Sequence, residues 1–360
     1  MINPRGAEFA ALLDGCLEGL RWGMQTDKRI LLFPGSGTGG LEAAVANLLS
    51  PGERAVFCTN GWFGEMWASI AEEYGVDVVR IAAPWGEAVD PHRLEHALES
   101  EHTVEKVFLT HCETSTGVLN DVVSLAAAAR RHGCLVAVDS VSGVPCHRLP
   151  VDGLSLDVVI TASQKGWLAP PGLTMLAVSE AAMAAAAQAR CPRWSLDFRR
   201  QAAAQEAGKL HMTPPLPVMQ ALAEGLSILR AEGLEAIWER HARVARRARR
   251  ALRGLGLGLI CQGSSPCNTV SAVRSPCSGP VELAALLADL RRTEGLVVAT
   301  GLGALEGWAF RIGHLGLVRE ADIDAALAAL QRGLARRGAY QGERSTDLCP
   351  RSAPHDLVAA

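Results

Sequence analysis

Residues 135–166 read LVAVDSVSGVPCHRLPVDGLSLDVVITASQKG, and this stretch decides the fold. It contains two short apolar runs, at 135–138 and 158–161, each followed directly by small or polar residues. Apolar runs of this length, bounded by turn residues, are typical of strands buried on both faces of a sheet. The stretch therefore predicts two successive buried strands whose ends carry Asp139 and Lys165.

The same alternation extends in both directions along the chain. Further strands are predicted at 29–33, 55–59, 76–81, 107–110 and 173–178, and helices at 6–22, 41–49, 62–74, 91–99 and 122–132. Strands that alternate with amphipathic helices are typical of an α/β fold with a mainly parallel sheet covered on both faces. Ligands bind such sheets outside the carboxyl ends of the strands, where the polar residues of this sequence fall.

The pattern changes after the PPLP segment at 214–217. Two long helices are predicted at 218–232 and 234–252, followed by strands at 269–273, 296–298 and 309–312 and helices at 281–292 and 320–332. We interpret residues 1–230 as a large domain and 231–338 as a smaller C-terminal α/β domain. Residues 339–360 are polar and lack periodicity, which predicts a loose tail.

The bulk composition excludes several classes of partner. The net charge of −3 is of mixed sign along the chain, so neither a nucleic acid nor a membrane surface is expected as a partner. No stretch is apolar enough to span a bilayer, and no secretory signal is evident. Ten scattered cysteines without a C-x-x-C pair predict reduced, mostly buried thiols in a cytoplasmic protein. The densest group, Cys261, Cys267 and Cys277, has no evident fourth ligand, so no metal is expected.

Three features carry chemistry. The GSGTGG turn at 35–40 opens a helix after a strand, and its backbone amides could hold a phosphate, although such turns are common. Asp139 ends a buried strand and is either a cap or salt-bridged acid, or the partner of a protonated pyridine nitrogen. Lys165 follows the next strand and is either a surface lysine or a partly buried amine that attacks aldehydes. Their joint occurrence favours the functional alternatives.

The chain resembles the class V aminotransferases among the fold-type I pyridoxal 5'-phosphate enzymes, and within them the alanine/serine–glyoxylate group. The resemblance covers residues 5–333. Its matching segments are GSGTGGLEAAV (35–45), NGWFGE (60–65), HCETSTGVLND (111–121), VAVDSVSG (136–143), SQKGWLAPPG (163–172), MTPP (212–215) and FRIGHLG (310–316).

The resemblance implies a role for each matching residue. Lys165 would form the Schiff base with the cofactor, and Asp139 would pair with its pyridinium nitrogen. Arg311 would bind the substrate carboxylate through its planar guanidinium, with a structural ion pair as the alternative. The cofactor-binding positions would be Gly37, Thr38 and Gly39 in the phosphate turn, Phe63 stacked on the ring (a place Trp62 could also take), Thr114 near the phenolic oxygen, and Gln164 and Thr213 at the phosphate.

Two departures from the family pattern affect the site. Leu210 stands where a tyrosine of the neighbouring subunit is expected to reach the phosphate, and His211 is a speculative substitute. The family also has a Pro-Gly-Pro segment that walls the substrate site, and the sequence begins near its first helix without it. We therefore expect weak transamination from the chain as it stands.

The resemblance implies an aminotransferase that forms a homodimer with a shared active site. It would move an amino group from a small amino acid, of alanine or serine type, to a small 2-oxo acid such as glyoxylate or pyruvate. A lyase or decarboxylating enzyme of the same fold, or a non-catalytic protein that binds pyridoxal phosphate, are the alternatives. No cysteine is placed like the mobile catalytic cysteine of the class V desulfurases.

Overall fold

The computed structural model describes residues 3–263 and 265–337. Its strands, in chain order, are β1 (Arg29–Gly35), β2 (Arg54–Thr59), β3 (Asp77–Ala82), β4 (Lys106–Thr110), β5 (Cys112–Glu113), β6 (Val118–Leu119), β7 (Leu135–Asp139), β8 (Val158–Ala162), β9 (Gly172–Val178), β10 (Val270–Arg274), β11 (Ala299–Thr300) and β12 (Ala309–Gly313). Seven of them form the central sheet, in the spatial order β1-β9-β8-β7-β4-β2-β3.

The central sheet is mainly parallel, as predicted. The five strands from β3 to β8 in the spatial order are parallel to one another, whereas β9 runs antiparallel to both β8 and β1. Strands β4 and β8 are buried along their whole length. Burial on both faces explains why these strands are continuously apolar rather than alternating.

Helices cover both faces of the sheet. Their bounds are α1 (Ala7–Met24), α2 (Gly37–Leu48), α3 (Trp62–Glu73), α4 (Pro91–Ser100), α5 (Val122–Arg131), α6 (Glu180–Gln188), α7 (Phe198–Glu206), α8 (Leu216–Glu232), α9 (Leu234–Gly254), α10 (Pro280–Asp289) and α11 (Glu320–Arg336). One apolar cluster joins α1, α4, α5 and α8 to the sheet, and a second joins α2, α3, α6 and α7 to the other face. No helix in the described ranges is both long and apolar enough to cross a membrane.

A smaller three-stranded sheet, in the order β10-β12-β11, packs with α9, α10 and α11 around a third apolar cluster. The strand predicted at 296–298 is wrong. The predicted helix ends in a π-helical turn at Leu290–Glu294, followed by Gly295 at φ +65°. Leu296 and Val298 then pack on the third cluster, and strand pairing begins only at Ala299.

Two further features depart from the sequence interpretation. Helices α6 and α7 and the β5–β6 hairpin were not predicted. The expectation of reduced thiols is wrong for Cys112 and Cys267, which form a disulfide across 155 positions of sequence with Cα atoms 6.2 Å apart. The other cysteines of the described ranges are free thiols. The predicted tail at 339–360 lies outside the described residues.

Candidate active site

The polar residues that follow the central strands meet at one edge of the sheet. Asp139 is the last residue of β7, Lys165 lies in the turn after β8, and Thr114 lies in the hairpin after β4. Strands β4, β7 and β8 are adjacent and parallel. The structure therefore brings these three predicted site residues to the same carboxyl edge, as expected for a ligand site of such a sheet.

The glycine-rich turn at 35–40 places the N-terminus of α2 at the same edge of the sheet. Helix α2 begins at Gly37, and the preceding Ser36 makes no side-chain cap, so the amides of Gly37, Thr38 and Gly39 belong to the first turn, whose N–H groups have no intrahelical acceptor. A Cβ added at Gly37 would lie 2.9 Å from Cγ2 of Val141. Val141 also donates its N–H to Asp139 (2.9 Å), so the anion-binding end of α2 adjoins the Asp139 turn.

Asp139 is a buried acid that pairs with no cation in the described residues. Burial raises the pKa of its carboxyl group to about 7, the N–H of Val141 opposes this, and nearby Glu113 adds to the rise. A carboxylate in this setting is stabilised by any cationic ligand that reaches it. The site can therefore accept a protonated ring nitrogen.

Lys165 lies within electrostatic range of both Asp139 and Arg311. Burial lowers the pKa of its amine, the charge of Arg311 lowers it further, and Asp139 opposes both. A lowered pKa leaves more of the amine neutral and nucleophilic. The neighbouring Gln164 is half-buried, and its amide oxygen finds no hydrogen-bond partner in the described chain, so this amide is free to turn toward a ligand.

Arg311 reaches the site from the smaller sheet. It lies on β12, where its Nε donates to the Thr300 carbonyl (2.9 Å) and its Nη1 to the Thr114 carbonyl (3.4 Å). Burial lowers the pKa of the guanidinium, and Glu113 opposes the shift. No carboxylate within the described ranges lies in salt-bridge contact with Arg311, which argues against the structural ion pair and leaves the guanidinium for a ligand.

Glu113 is a functional residue that the sequence interpretation missed. Its carboxylate is fully buried and accepts the N–H groups of Phe63 (3.0 Å) and Gly64 (3.1 Å), together with the N–H and hydroxyl of Ser115. It thus fixes the start of α3, including Phe63, to the loop that carries Thr114. Its position three residues beyond the end of β4, near the same edge of the sheet as Asp139 at the end of β7, was the available signal.

Thr213 is the one predicted site residue that this chain does not bring to the others. It is exposed in the loop before α8. Of its neighbours, Leu210 is buried in the core and His211 lies against Trp194, with ring centroids 5.8 Å apart. Since the resemblance assigns Thr213 to the site of the neighbouring subunit, its role stays a prediction, as does that of His211.

Glu113→Gln should lower stability, because the new NH2 group would face at least one backbone donor and leave it unpaired. An unsatisfied buried donor costs about 1–3 kcal/mol, which corresponds to a fall in melting temperature of several degrees by thermal unfolding. The variant should also bind cofactor more weakly through displacement of Phe63. Glu73→Gln, at the exposed C-terminal end of α3, is the control. Equal melting curves for both variants would contradict the anchoring role of Glu113.

Together these groups fit pyridoxal 5'-phosphate. The free N–H groups at the start of α2 suit its phosphate, as does the NH2 group of Gln164 once that amide turns toward it, and buried Asp139 suits its ring nitrogen. The amine of Lys165 suits its aldehyde. The fit rests on three observations of this structure: the uncapped first turn of α2, the Gln164 amide oxygen without a partner, and the buried Asp139 carboxyl group that meets no cation in the described chain.

Comparisons with known proteins agree with a pyridoxal phosphate site in this chain. The model of the aminotransferase class-V family matches residues 4–314. The soluble hydrogenase 42 kDa subunit of Anabaena cylindrica is 35% identical over 92% of this chain and 86% of its own length. The L-aspartate–glyoxylate aminotransferase of Paracoccus denitrificans is 34% identical over 94% of this chain and 86% of its own. The alanine–glyoxylate aminotransferase structure from Nostoc sp. has a TM-score of 0.87 at 29% identity, covering 92% and 89% of the two chains.

Proposed function

Because the chain belongs to the aminotransferase class-V family, we propose that it moves an amino group from a small amino acid to a small 2-oxo acid. The donor is of alanine or serine type, and the acceptor is glyoxylate or pyruvate. The observation that carries this proposal is the convergence of Lys165, Asp139 and Arg311 on one edge of the sheet. The Anabaena relative is named as a hydrogenase subunit, whereas the Paracoccus relative is named as an aminotransferase, as the family match also indicates.

Residues of both the sheet edge and α2 would hold the cofactor. Gly37, Thr38 and Gly39 would bind the phosphate through their amides, with Gln164 beside them. Phe63 would stack on the ring and Asp139 would pair with the ring nitrogen. Thr114 would lie near the phenolic oxygen. Pyridoxal phosphate supplies an electron-withdrawing ring that makes the α-proton of a bound amino acid acidic.

Lys165 and Arg311 have separate roles in the proposed reaction. The Nζ of Lys165 would hold the cofactor, and its amine is the group placed to accept and return the α-proton of a bound amino acid as a general acid/base. Its lowered pKa provides the neutral amine that this requires. Arg311 receives the substrate carboxylate, and its contact with the Thr114 carbonyl sets where that carboxylate lies.

The same proposal covers the assembly of the protein. We assign residues 1–230 to a cofactor-binding domain and 231–338 to a smaller C-terminal domain. Two copies form a homodimer in which Thr213 of one copy completes the phosphate site of the other. The predominance of free thiols in the described chain supports a cytoplasmic location. Light scattering of the cofactor-loaded protein tests the dimer, and a monomer would contradict it.

A donor and acceptor screen tests the activity. The purified protein is loaded with pyridoxal phosphate, and visible absorbance reports its binding. Small amino acids are then paired with glyoxylate or pyruvate, and both products are quantified. Stoichiometric formation of the new amino acid and the new 2-oxo acid supports transamination. Release of ammonia or carbon dioxide without amino transfer would point to a lyase instead, and cofactor binding without any product would point to a non-catalytic protein.

Arg311→Lys should raise the KM for amino acids at least tenfold and leave the cofactor absorbance unchanged. Lysine keeps the charge but loses the planar two-point geometry of the guanidinium. Arg243→Lys, on the exposed face of α9, should leave KM unchanged and serves as the control. If amines without a carboxylate prove to be better substrates of the unmodified protein, the role given to Arg311 is wrong.

A further inference from the structure

A buried sulfur cluster lies beside the candidate active site and takes no part in the chemistry proposed above. The Cys112 and Cys267 sulfurs are bonded to each other, and the imidazole of His147 lies against them, with its Nε2 3.8 Å from the Cys267 sulfur. The hydroxyl of Thr269 lies 2.8 Å from the Cys267 sulfur and 3.2 Å from that of Cys112. All four side chains are buried.

The disulfide joins the β5–β6 hairpin to the segment that leads into the smaller, three-stranded sheet. Cys112 lies on β5 in the active-site hairpin, and the next residue is the buried anchor Glu113. Cys267 lies three residues before β10, which pairs with β12 so that Ala272 faces Arg311. The cross-link therefore ties the loop that positions Thr114 to the sheet that carries Arg311.

Few other contacts hold this junction. The Cys267 N–H donates to the Gly117 carbonyl (2.8 Å), the Leu119 N–H donates to the Ser265 carbonyl (2.8 Å), and Arg311 reaches Thr114 at 3.4 Å. The three backbone and side-chain hydrogen bonds are each worth about 0.5–1.5 kcal/mol. Loss of the covalent bond would leave only non-covalent contacts to keep Arg311 in register with the hairpin, namely these hydrogen bonds, the Asn268 N–H bond to His147 and a small apolar cluster around Val270.

We propose that Cys112 and Cys267 form a reversible thiol–disulfide site that controls how well Arg311 is positioned for substrate. With the disulfide formed, the smaller sheet is fixed against the hairpin and the carboxylate site is preformed. With the thiols free, the junction loosens and amino acid binding weakens, while the cofactor residues on the central sheet keep their places. The effect on substrate rests on the proposed function, whereas the thiol chemistry does not.

The redox step balances with a dithiol as the reductant. One thiolate of the reductant attacks the Cys112 sulfur, which is the more exposed of the pair (5% against 0%). The Cys267 thiolate leaves and takes a proton. The second reductant thiol then displaces the Cys112 thiolate, which is also protonated. Two electrons and two protons enter the protein, and the reductant becomes a disulfide. A small-molecule disulfide reverses the step.

His147 favours the disulfide over a metal as the occupant of this cluster. The three groups Cys112, His147 and Cys267 are close enough to bind one ion. However, the Nε2 of His147 already accepts the Asn268 N–H at 2.9 Å, so the lone pair that would bind a metal is in use. Burial holds the pKa of His147 well below its ordinary value, which keeps this nitrogen an acceptor. The metal content of the protein is still measured, because zinc bound by these three residues would contradict the disulfide.

The experiment compares one protein in two redox states. The loaded enzyme is treated with dithiothreitol or with oxidised glutathione, each is removed by gel filtration, and peptides are mapped by mass spectrometry with and without reduction. Hydrogen exchange of the segment at 265–275 and metal content are measured on the same samples. We expect a Cys112–Cys267 cross-linked peptide only in the oxidised sample, and faster exchange of that segment in the reduced one.

The kinetic arm separates positioning from a general loss of structure. Reduction should raise the KM for the amino donor on the order of tenfold, since displacements of about 1 Å can cost up to ~100-fold, with a smaller change in kcat and no change in cofactor absorbance. Reoxidation should restore the low KM. Cys267→Ser should behave like the reduced enzyme in both conditions. Cys277→Ser is the control. It removes a half-buried free thiol distant in sequence from the hairpin, and its KM should still rise on reduction and fall on reoxidation.

Several results would overturn the proposal. These are the absence of the cross-linked peptide after oxidation, equal exchange and equal KM in the two redox states, or stoichiometric zinc in the reduced protein that is lost in Cys267→Ser. If the cross-link and the exchange change appear but no amino donor is turned over, the thiol–disulfide site stands and the proposed aminotransferase activity fails.

Discussion

Lys165→Ala should abolish the visible absorbance of the protein-bound cofactor and reduce transamination to background. Among the described residues, its amine is the only group at the sheet edge that can bond to the aldehyde and also move the α-proton, so both functions should be lost together. The variant should fold, because Lys165 forms no salt bridge within the described ranges and its burial as a cation is unfavourable. Absorbance spectra and initial rates of the loaded protein measure the result.

The composition makes this test unusually clear. The sequence contains four lysines, Lys28, Lys106, Lys165 and Lys209. Lys28 is paired with Asp152 and Lys106 with Glu53, whereas Lys209 is exposed. Lys209→Ala is the control and should keep both absorbance and turnover. If the Lys165→Ala protein retains the visible band, another lysine holds the cofactor and the site has been placed wrongly.

The sequence was sufficient to locate this lysine because local pattern and topology agree. A buried parallel strand must be apolar along its length, so the first polar residues after it mark the carboxyl edge. Asp139 and Lys165 both follow such strands, and all seven strands of the central sheet were predicted to within two residues at each end. Arg311 was identified only through the resemblance, since nothing in its local pattern indicates that β12 faces the hairpin.

The features that were missed depend on contacts between distant segments. Glu113 acts by accepting N–H groups from residues 50 and 49 positions away, and no spacing rule indicates such a partner. The Cys112–Cys267 pair spans 155 positions and resembles two unrelated thiols in the sequence. The strand predicted at 296–298 failed because an apolar run can pack on a core without pairing, and only the tertiary position of Leu296 and Val298 decides between the two.

Asp139→Asn should reduce turnover by on the order of a hundredfold or more, since a buried charge pair with the cofactor ring contributes several kcal/mol to the reaction. The fold should be retained, because the amide oxygen of asparagine can still accept the Val141 N–H. Asp157→Asn, before β8 at the opposite edge, removes a carboxylate that binds Arg130 and the Val136 N–H. That variant should lose stability instead of activity. Near-normal turnover of Asp139→Asn would mean that Asp139 is only structural.

The pH dependence of stability gives Asp139→Asn a second, opposite signature. Burial raises the folded-state pKa of Asp139 from 3.8 to about 7, so between these values the folded, ligand-free protein binds more protons than the unfolded chain. Its free energy of unfolding should therefore fall as the pH rises from about 4 to about 7, and the decrease should level off above that range.

Asparagine does not titrate, so the cofactor-free variant should gain stability over the unmodified protein across this pH range and be the more stable of the two at pH 8. Bound cofactor should reverse the order, because its ring cation stabilises only the carboxylate. Urea unfolding of both proteins at pH 5 and pH 8, each with and without pyridoxal phosphate, gives the eight free energies of unfolding that this comparison needs. A stability difference that does not change between pH 5 and pH 8 would contradict a folded-state pKa of Asp139 within this range.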